Sequence, residues 1–427
     1  MLDWVVGVWW AIWAAPVGQI ILVVLILSEE AVGVSARTEK LIYAAALFSL
    51  SSEVLMGLAV PLLAVERGLT PNTLGILLAI ATVGPILIAL PSGALCDYFG
   101  DRKVLLAMAA GIAVTAFAYP FTASLVGLFV LQFFGGIFRS NAWVALQAYL
   151  VRVTTGGQQQ RVAGKFSFFV NIGLLISPVI GGAIYSAWGA TAAFGFIGLW
   201  GFAHLIIAFL LPEGPGSSHM PQAVEHSTWQ ICMNSYRAAL PIFKRAMLVI
   251  MLALTLARLM SGGIVASFYP VYLHGIGFTA AIIGLLMTLS NGGATVGSLV
   301  ADALARRIGL VQAMIWSIAA SAVAIALVPL FPNIWLIAAL SLIHGFMLGI
   351  SLPLLLTGIA QNSETHERGL ILGLRSMFNK GGVMAAPLLM GFLVAGWGMV
   401  PGFLITGAVI LIVLLLIGLV TSRLQQA

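Results

Sequence analysis

Five ionisable side chains lie within long apolar runs of the sequence: Glu53, Arg139, Arg258, His344 and Lys380. An ionisable group at the centre of a bilayer costs at least about 2.5–3.5 kcal/mol, so such residues mark paths for protons, ions or substrates. Glu53 lies midway between Lys40 and Glu66 along its run. If that run is a helix that crosses a membrane, Glu53 lies near the bilayer centre.

Glu53 has the chemistry of a proton carrier, because a carboxylate in a poorly hydrated site can take up and release a proton. Competition between a proton and a substrate for this carboxylate would couple their movements. We therefore predict that Glu53 is the proton site. The alternative is a static ion pair with Arg139 or Arg258 that holds helices together.

The charge balance of these residues predicts what could bind near them. Three cations, Arg139, Arg258 and Lys380, stand against one acid, which predicts an anionic or zwitterionic substrate unless Lys380 or Arg375 faces the cytoplasm. The residues expected to line the substrate cavity are Arg258, His344, Lys380, Asn171 and Asn291. For His344 and the two asparagines, hydrogen bonds between helices are the alternative role.

The composition decides which elements position these residues. The chain has 427 residues, of which 61% are hydrophobic and 7% charged, whereas soluble domains carry about a quarter charged residues. This excludes a soluble protein and predicts an all-α polytopic membrane protein, since a crossing takes about 20 residues. The apolar runs lie at 5–27, 41–65, 73–95, 104–122, 125–150, 166–187, 190–211, 247–272, 279–301, 310–330, 333–359, 371–395 and 399–421.

Lysine and arginine are concentrated in every second connection between these apolar runs. One set of connections contains nearly all of them, including Arg102, Arg152 and Arg245, and the other contains Arg67. Because basic loops stay in the cytoplasm, we predict a multi-pass protein of the inner (cytoplasmic) membrane with its C-terminus in the cytoplasm. This sorting explains the net charge of +6 without nucleic acid as a partner.

The sequence contains an internal repeat. Residues 61–70 (PLLAVERGLT) resemble residues 270–279 (PVYLHGIGFT), and Gly75 and Gly284 follow at the same spacing. Glu53 and Arg258, and likewise Arg139 and His344, fall at similar positions of the two copies. We predict an extra N-terminal helix and linker at 1–40, a six-helix bundle at 41–211, a cytoplasmic linker at 212–246 and a second six-helix bundle at 247–427. Parallel repeats of this kind place a substrate site between them, near the bilayer midplane.

Residues 93–105 (GALCDYFGDRKVL) resemble the G-x-L-A-D-R-x-G-R-K-x-x-L signature of the major facilitator superfamily. Tyr98 and Asp101 depart from it, since both positions are basic in the signature. The resemblance implies two six-helix bundles related by a pseudo-twofold axis. It also implies a gate between them on the cytoplasmic side, formed by Gly93, Asp97, Gly100 and Arg102. The alternative for Asp97 is a solvated loop acid that helps to orient the span.

Residues 173–182 (GLLISPVIGG) are similar to the G-x-x-x-G-P-x-x-G-G motif of proton-coupled antiporters in this superfamily, with Ser177 in place of one glycine. The residues that carry the similarity are Gly173, Pro178, Gly181 and Gly182. The resemblance implies export, and it links Arg139, in the fourth span of the first bundle, to proton movement. A packing motif with no bearing on direction is the alternative.

Together these observations predict a secondary transporter that works by alternating access. We expect proton-coupled efflux of an anionic or zwitterionic metabolite, siderophore or drug, with proton-coupled uptake of an organic anion as the alternative. A membrane sensor or an intramembrane enzyme is a third possibility, but the HERGL segment at 366–370 lacks the second histidine of a metalloprotease motif. We expect no enzymatic activity, no metal and no cofactor. The proton gradient supplies the energy, and the partners are a small-molecule substrate, protons and the lipid bilayer, around a monomer.

Overall fold

The computed structural model describes residues 35–89, 91–154, 158–213, 236–237, 239–364 and 368–426. Within these ranges the chain forms α-helices joined by short connections, without a β-strand. The helices are α1 (Ala36–Glu66), α2 (Pro71–Ile88), α3 (Ser92–Phe99), α4 (Asp101–Ala118), α5 (Leu125–Val153), α6 (Gln158–Leu210), α7 (Ala246–Val265), α8 (Phe268–Gly275), α9 (Ala280–Ile308), α10 (Leu310–Leu327), α11 (Ile334–Gln361), α12 (Arg368–Trp397) and α13 (Met399–Gln426). We call α1–α6 the N-half and α7–α13 the C-half.

The described residues contain eleven helical stretches that are long and apolar enough to cross a membrane. One of them, Arg161–Leu210, holds two of the predicted apolar runs, and its backbone leaves the helical conformation at Gly189, where φ is 76° and ψ is −175°. The prediction of an all-α polytopic membrane protein is confirmed. The predicted span at 5–27 and most of the predicted linker at 212–246 lie outside the described residues, so the predicted domain boundaries stay predictions.

The helices begin at residues that suit helix N-termini. The hydroxyls of Thr70 and Thr279, at the starts of α2 and α9, accept hydrogen bonds from the backbone N–H groups of Thr73 and Ile282. Such caps satisfy backbone donors that have no partner inside the helix. Both caps belong to the repeated segments noted in the sequence, so the repeat reproduces local structure as well as residue types.

Glycines with positive φ fix the register of the repeat. Gly68, Gly100 and Gly189 each have a counterpart 209 residues later (277 − 68), namely Gly277, Gly309 and Gly398. Left-handed backbone favours glycine, so these six positions mark equivalent turns in the two halves. In this register Glu53 is equivalent to Gly262. Arg258 and His344 therefore lie four residues, about one helical turn, before the positions equivalent to Glu53 and Arg139, which is within the one turn that the sequence predicts.

The halves approach each other closely at one end of the bundle. We call the end that carries Arg102 and Arg152 the basic end, and the end that carries Arg67 the opposite end. At the opposite end, a Cβ atom added to Gly75 would lie 2.3 Å from the carbonyl oxygen of Pro387, and one added to Gly284 would lie 2.0 Å from that of Pro178. Backbone therefore packs directly on backbone there. At the basic end, a Cβ added to Gly93 would meet nothing within 4 Å.

Candidate functional site

An ion pair joins the two halves at mid-depth. The ammonium of Lys380, in α12, donates a hydrogen bond of 2.7 Å to Oε1 of Glu53, in α1. The side chain of Glu53 is 43% exposed and that of Lys380 is 17% exposed. Because solvent reaches Glu53 although it lies halfway along a spanning helix, the pair borders an open space between the halves.

Glu53 is separated from every other described carboxylate. Those others lie near helix ends or in connections: Glu39, Glu66, Asp97, Asp101, Glu213, Asp302 and Glu364. Several of them have basic partners there, such as Arg161 beside Glu39 and Arg306 beside Asp302. Among the described residues, Glu53 is thus the one carboxylate at the middle of a span.

Arg139, in α5, is held close to this pair. Its side chain is buried, its charge acts on Glu53, and its Nη1 has no hydrogen-bond partner within the described part of the chain. The same nitrogen lies 2.8 Å from where a Cβ on Gly135 would be, so the guanidinium folds back along its own helix. The structure therefore brings Arg139 and Lys380 to Glu53, but the bond to Glu53 comes from Lys380, whereas the sequence suggested Arg139 or Arg258.

Arg258, in α7, faces other partners. Its Nε donates a hydrogen bond of 2.8 Å to the hydroxyl of Ser351, in α11. The charge of Arg375, in α12, acts on Arg258 and repels it. Arg375 is not among the residues predicted to line the cavity, because the sequence analysis considers it only as a cation that could face the cytoplasm. Its position one turn and a half before Lys380 on the same helix was the available signal.

The remaining predicted cavity residues form hydrogen bonds within the helix bundle. His344 is buried, and its Nδ1 lies 2.9 Å from the hydroxyl of Ser321. The amide of Asn291 donates to the carbonyl oxygen of Leu174 in the other half at 3.0 Å, and that of Asn171 donates to Ser167 one turn earlier in α6 at 2.9 Å. In this conformation His344 and Asn291 bond between helices, which is the role that the sequence left open as the alternative, whereas Asn171 bonds within its own helix.

The predicted gate residues bond within the N-half. Asp97 forms an ion pair with Arg152, whose Nε also lies 2.9 Å from Oδ2 of Asp101. Gly100, with φ of 87°, makes the turn between α3 and α4. Arg102 donates to the carbonyl oxygen of Phe209 at 2.7 Å. Asp101, one of the two departures from the signature, is therefore a second acceptor for Arg152, and these bonds do not reach the C-half.

The antiporter-like segment in α6 packs on two helices. Gly173 lies against the backbone of Leu47, and Gly181 against the side chain of Leu55, both in α1. Pro178 and Gly182 instead face α9 of the C-half, where a Cβ on Gly182 would lie 2.3 Å from the carbonyl oxygen of Ala280. The segment therefore contributes both to the N-half core and to the contact between the halves.

The arrangement offers no group of side chains that could hold a metal ion among the described residues. It offers a carboxylate at mid-span that is bonded to one cation and lies near a second, between two halves that are in contact at one end. In transporters built from two repeats, substrate sites lie between the repeats near the bilayer midplane, which is where this ion pair lies.

Comparison with known proteins shows which transporters the chain is similar to. The chain is 27% identical over 395 residues to the enterobactin exporter EntS of Citrobacter koseri, covering 90% of this chain and 92% of that protein. Its fold is similar to that of a mutant of the nucleoside transporter NupG, with a TM-score of 0.73 at 13% identity, over 90% of this chain and 99% of that one. A bacterial homologue of the human lysosomal transporter Spinster gives a TM-score of 0.72 at 11% identity, over 90% and 96%.

The family model of the Major Facilitator Superfamily matches residues 41–260 and 250–425, which together cover most of the chain. The resemblance that residues 93–105 carry is thereby confirmed, and with it the expectation of a transporter and not an enzyme. The chain belongs to the Major Facilitator Superfamily.

Proposed function

We propose that this transporter exports a small organic molecule with anionic groups in exchange for protons, by alternating access, and that Glu53 carries the proton. The observation on which the proposal rests is the Glu53–Lys380 ion pair, which joins the halves at mid-depth and is open to solvent. Similarity to an enterobactin exporter supports export of a siderophore-like molecule. The antiporter-like segment at 173–182 supports the same direction.

Protonation of Glu53 has two consequences. A neutral carboxyl no longer attracts the Lys380 ammonium strongly, so one link between the halves weakens. The centre also becomes more positive, because Arg139 and Lys380 lose their nearby acid. A single proton thus alters both the affinity of the centre for charged cargo and the stability of the conformation in which the halves meet here.

The charge of the cargo decides the sign of the coupling. For cargo and proton to exclude each other, the cargo must donate a hydrogen bond to ionised Glu53, as an ammonium or hydroxyl group does. Its anionic groups can then bind the surrounding cations. We therefore propose a zwitterionic cargo, or an anionic cargo that also has hydrogen-bond donors, for antiport.

A second candidate function follows from the same pair. A purely anionic cargo that needs Lys380 binds best when Glu53 is neutral and releases it. Proton and anion then bind together, which is symport. The paired state of Lys380 favours this candidate for cargo without donors.

The conformation of the bundle supports loading from the basic end. The halves are in contact at the opposite end, whereas the space beside Gly93 is open. If the basic end faces the cytoplasm, as the distribution of lysine and arginine predicts, cargo reaches Glu53 from the cytoplasm in this conformation.

Transport by the full chain in proteoliposomes tests the proposal. Labelled zwitterions and anions are screened under an imposed pH gradient with the wild type, Glu53→Gln and the control Glu66→Gln, whose exposed carboxylate ends the same helix. We expect the wild type and Glu66→Gln to move cargo against the proton flow. Glu53→Gln is expected to lose gradient-driven transport but to keep exchange of labelled for unlabelled cargo.

Two results would change the assignment. Undiminished gradient-driven transport by Glu53→Gln would overturn the proton role of Glu53. Cargo that moves in the same direction as the protons would replace export by the symport candidate.

A further inference from the structure

Arg258 and Arg375 form a pair of like charges in the C-half, apart from the Glu53–Lys380 ion pair. Arg258 lies in the middle of α7 and Arg375 in the first third of α12. The two helices pack directly on each other, since a Cβ atom added to Gly382 would lie 2.5 Å from the carbonyl oxygen of Leu256. The charge of Arg375 repels that of Arg258. Both residues are only partly buried, so solvent reaches part of each side chain. Two cations held together in a membrane protein need a compensating charge.

The described residues supply no such compensation. Glu53, the one described carboxylate at mid-span, bonds to Lys380. The Nε of Arg375, a hydrogen-bond donor, is buried without a partner in the described part of the chain. Leaving buried polar groups unsatisfied is costly, so the arrangement is suited to a ligand that satisfies the arginines.

Arg258 is also fixed in orientation. Its Nε donates to the Ser351 hydroxyl at 2.8 Å, and that hydroxyl in turn donates to the carbonyl oxygen of Leu348 at 2.6 Å. Ser351 is fully buried, so it is a rigid support. With Nε engaged in this way, the two terminal nitrogens of Arg258 are the donors that can bind a ligand.

We propose that Arg258 and Arg375 together bind an oxyanion, that is, a carboxylate, sulfate or phosphate group. The planar guanidinium matches these groups, because its parallel N–H donors bind two of their oxygens at once. Arg375 lies nearer the basic end than Lys380, so an anion that enters there meets this subsite before the proton site. That the anion is part of the cargo rests on the function proposed above, whereas binding itself does not.

Equilibrium binding to the purified full chain in detergent tests the subsite without a gradient. The probes are inorganic sulfate and benzoate, measured by titration calorimetry. We expect Arg258→Met and Arg375→Met each to weaken binding of both probes by about ten- to a hundredfold, since each variant removes charged hydrogen bonds. Ser351→Ala keeps both charges and is expected to weaken binding less. Arg306→Met, which removes an exposed arginine at the end of α9, is the matched control and should bind as the wild type does.

The same titrations contain the outcomes that would overturn the subsite. These are no binding by the wild type, wild-type affinity in Arg258→Met and Arg375→Met, or an equal loss in the Arg306→Met control. Circular dichroism and size-exclusion profiles equal to those of the wild type show that the variants are folded. If one of the arginine variants is not folded, the affinity of Ser351→Ala for the probes tests the subsite independently.

A repeat with added phosphatidylglycerol identifies the source of the anion. Displacement of benzoate would assign the oxyanion to a lipid headgroup, and unchanged binding would assign it to a soluble ligand.

Failure here and failure of the proposed function are distinguishable. Oxyanion binding that depends on both arginines, together with transport indifferent to Glu53, would keep the subsite and remove the proton role. Transport that depends on Glu53, with no binding at the arginines, would do the reverse.

Discussion

Arg152 links two carboxylates at the basic end, and the two differ in exposure. The side chain of Asp97 is 67% exposed, whereas that of Asp101 is 6% exposed and lies 2.9 Å from Nε of Arg152. An exposed ion pair contributes little to stability, but a buried carboxylate that loses its cation is left without compensation. Arg152 should therefore stabilise the fold through Asp101 more than through Asp97.

Replacing Arg152 with alanine is expected to lower the free energy of unfolding by about 1–3 kcal/mol, because it leaves a buried acceptor unsatisfied. The control is Arg306→Ala, which removes an ion pair with Asp302 whose side chains are 73% and 77% exposed. That change should stay within about 0.5 kcal/mol. Thermal unfolding of the purified variants in detergent measures both changes in stability. Equal losses of stability in the two variants would show that the bond between Arg152 and buried Asp101 contributes no more than an exposed ion pair.

The residue types at mid-span were predictable from the sequence, but their partners were not. Glu53 and Lys380 are far apart in the sequence and lie on helices of different halves, so only the approach of the two halves brings them together. His344 shows the same limit, since an apolar run does not say which face of a helix points to a cavity. The sequence also gave no reason to pair Arg258 with Arg375, because their helices meet only in the folded C-half.

At the scale of helices, two equivalent glycine–proline contacts join the halves. Gly75 of α2 meets Pro387 of α12, and Gly284 of α9 meets Pro178 of α6. Each residue of the first contact lies 209 positions from its counterpart in the second (284 − 75 and 387 − 178), the same register as the turn glycines. Pseudo-symmetry thus gives the opposite end two equivalent backbone contacts, and the antiporter-like segment supplies one of them.

Gly75→Ala and Gly284→Ala are each expected to disfavour the conformation in which the opposite end is closed. A new Cβ would lie 2.3 Å or 2.0 Å from a carbonyl oxygen, so the helices must separate. Overpacking of this kind costs about 1–3 kcal/mol, which shifts a two-state population roughly 5- to 150-fold. Spin labels on exposed Asn72 and His274, one in each half, measure the separation.

The matched control for these variants is Gly195→Ala in α6, where a Cβ would meet nothing within 4 Å. It should leave the distance distribution between the two labels unchanged. A distribution in Gly75→Ala and Gly284→Ala that equals the control would contradict the view that these glycines allow closure.

The helices themselves followed from the sequence, because apolar runs of spanning length have few alternatives in a membrane. The apolar runs did not determine which residue of one half corresponds to which residue of the other. Matching by charged residues placed Glu53 opposite Arg258, whereas the turn glycines place it opposite Gly262. Loop geometry preserves the register of a repeat better than functional side chains do, because the two halves can diverge in charge while keeping the same turns.

At the scale of the whole molecule, the two ends differ in both charge and contact. The basic end carries most of the lysines and arginines, whereas the opposite end carries Arg67 and the paired glycine contacts between the halves. The described glycines near the basic end, such as Gly93, Gly100 and Gly309, meet no atom of the other half. The two properties have separate causes. The distribution of lysine and arginine depends on how the chain inserts into the membrane, whereas the contact between the halves depends on which conformation is populated. The side from which cargo enters depends on both the orientation of the chain and its conformation, and the orientation can be measured directly.

Labelling by a membrane-impermeant maleimide is expected to show that the basic end faces the cytoplasm. In a background with Cys96 and Cys232 replaced by serine, Gly93→Cys should react in inside-out vesicles, and Asn72→Cys, at the opposite end, in right-side-out vesicles. Both positions are exposed, and the space beside Gly93 is open. If Cys96 has to be kept for folding, it will react little with the maleimide, because burial and the nearby Asp101 charge raise the pKa of its thiol to about 12. The reverse labelling pattern would place the open end outside the cell, and the conformation described here would then accept cargo for uptake instead of export.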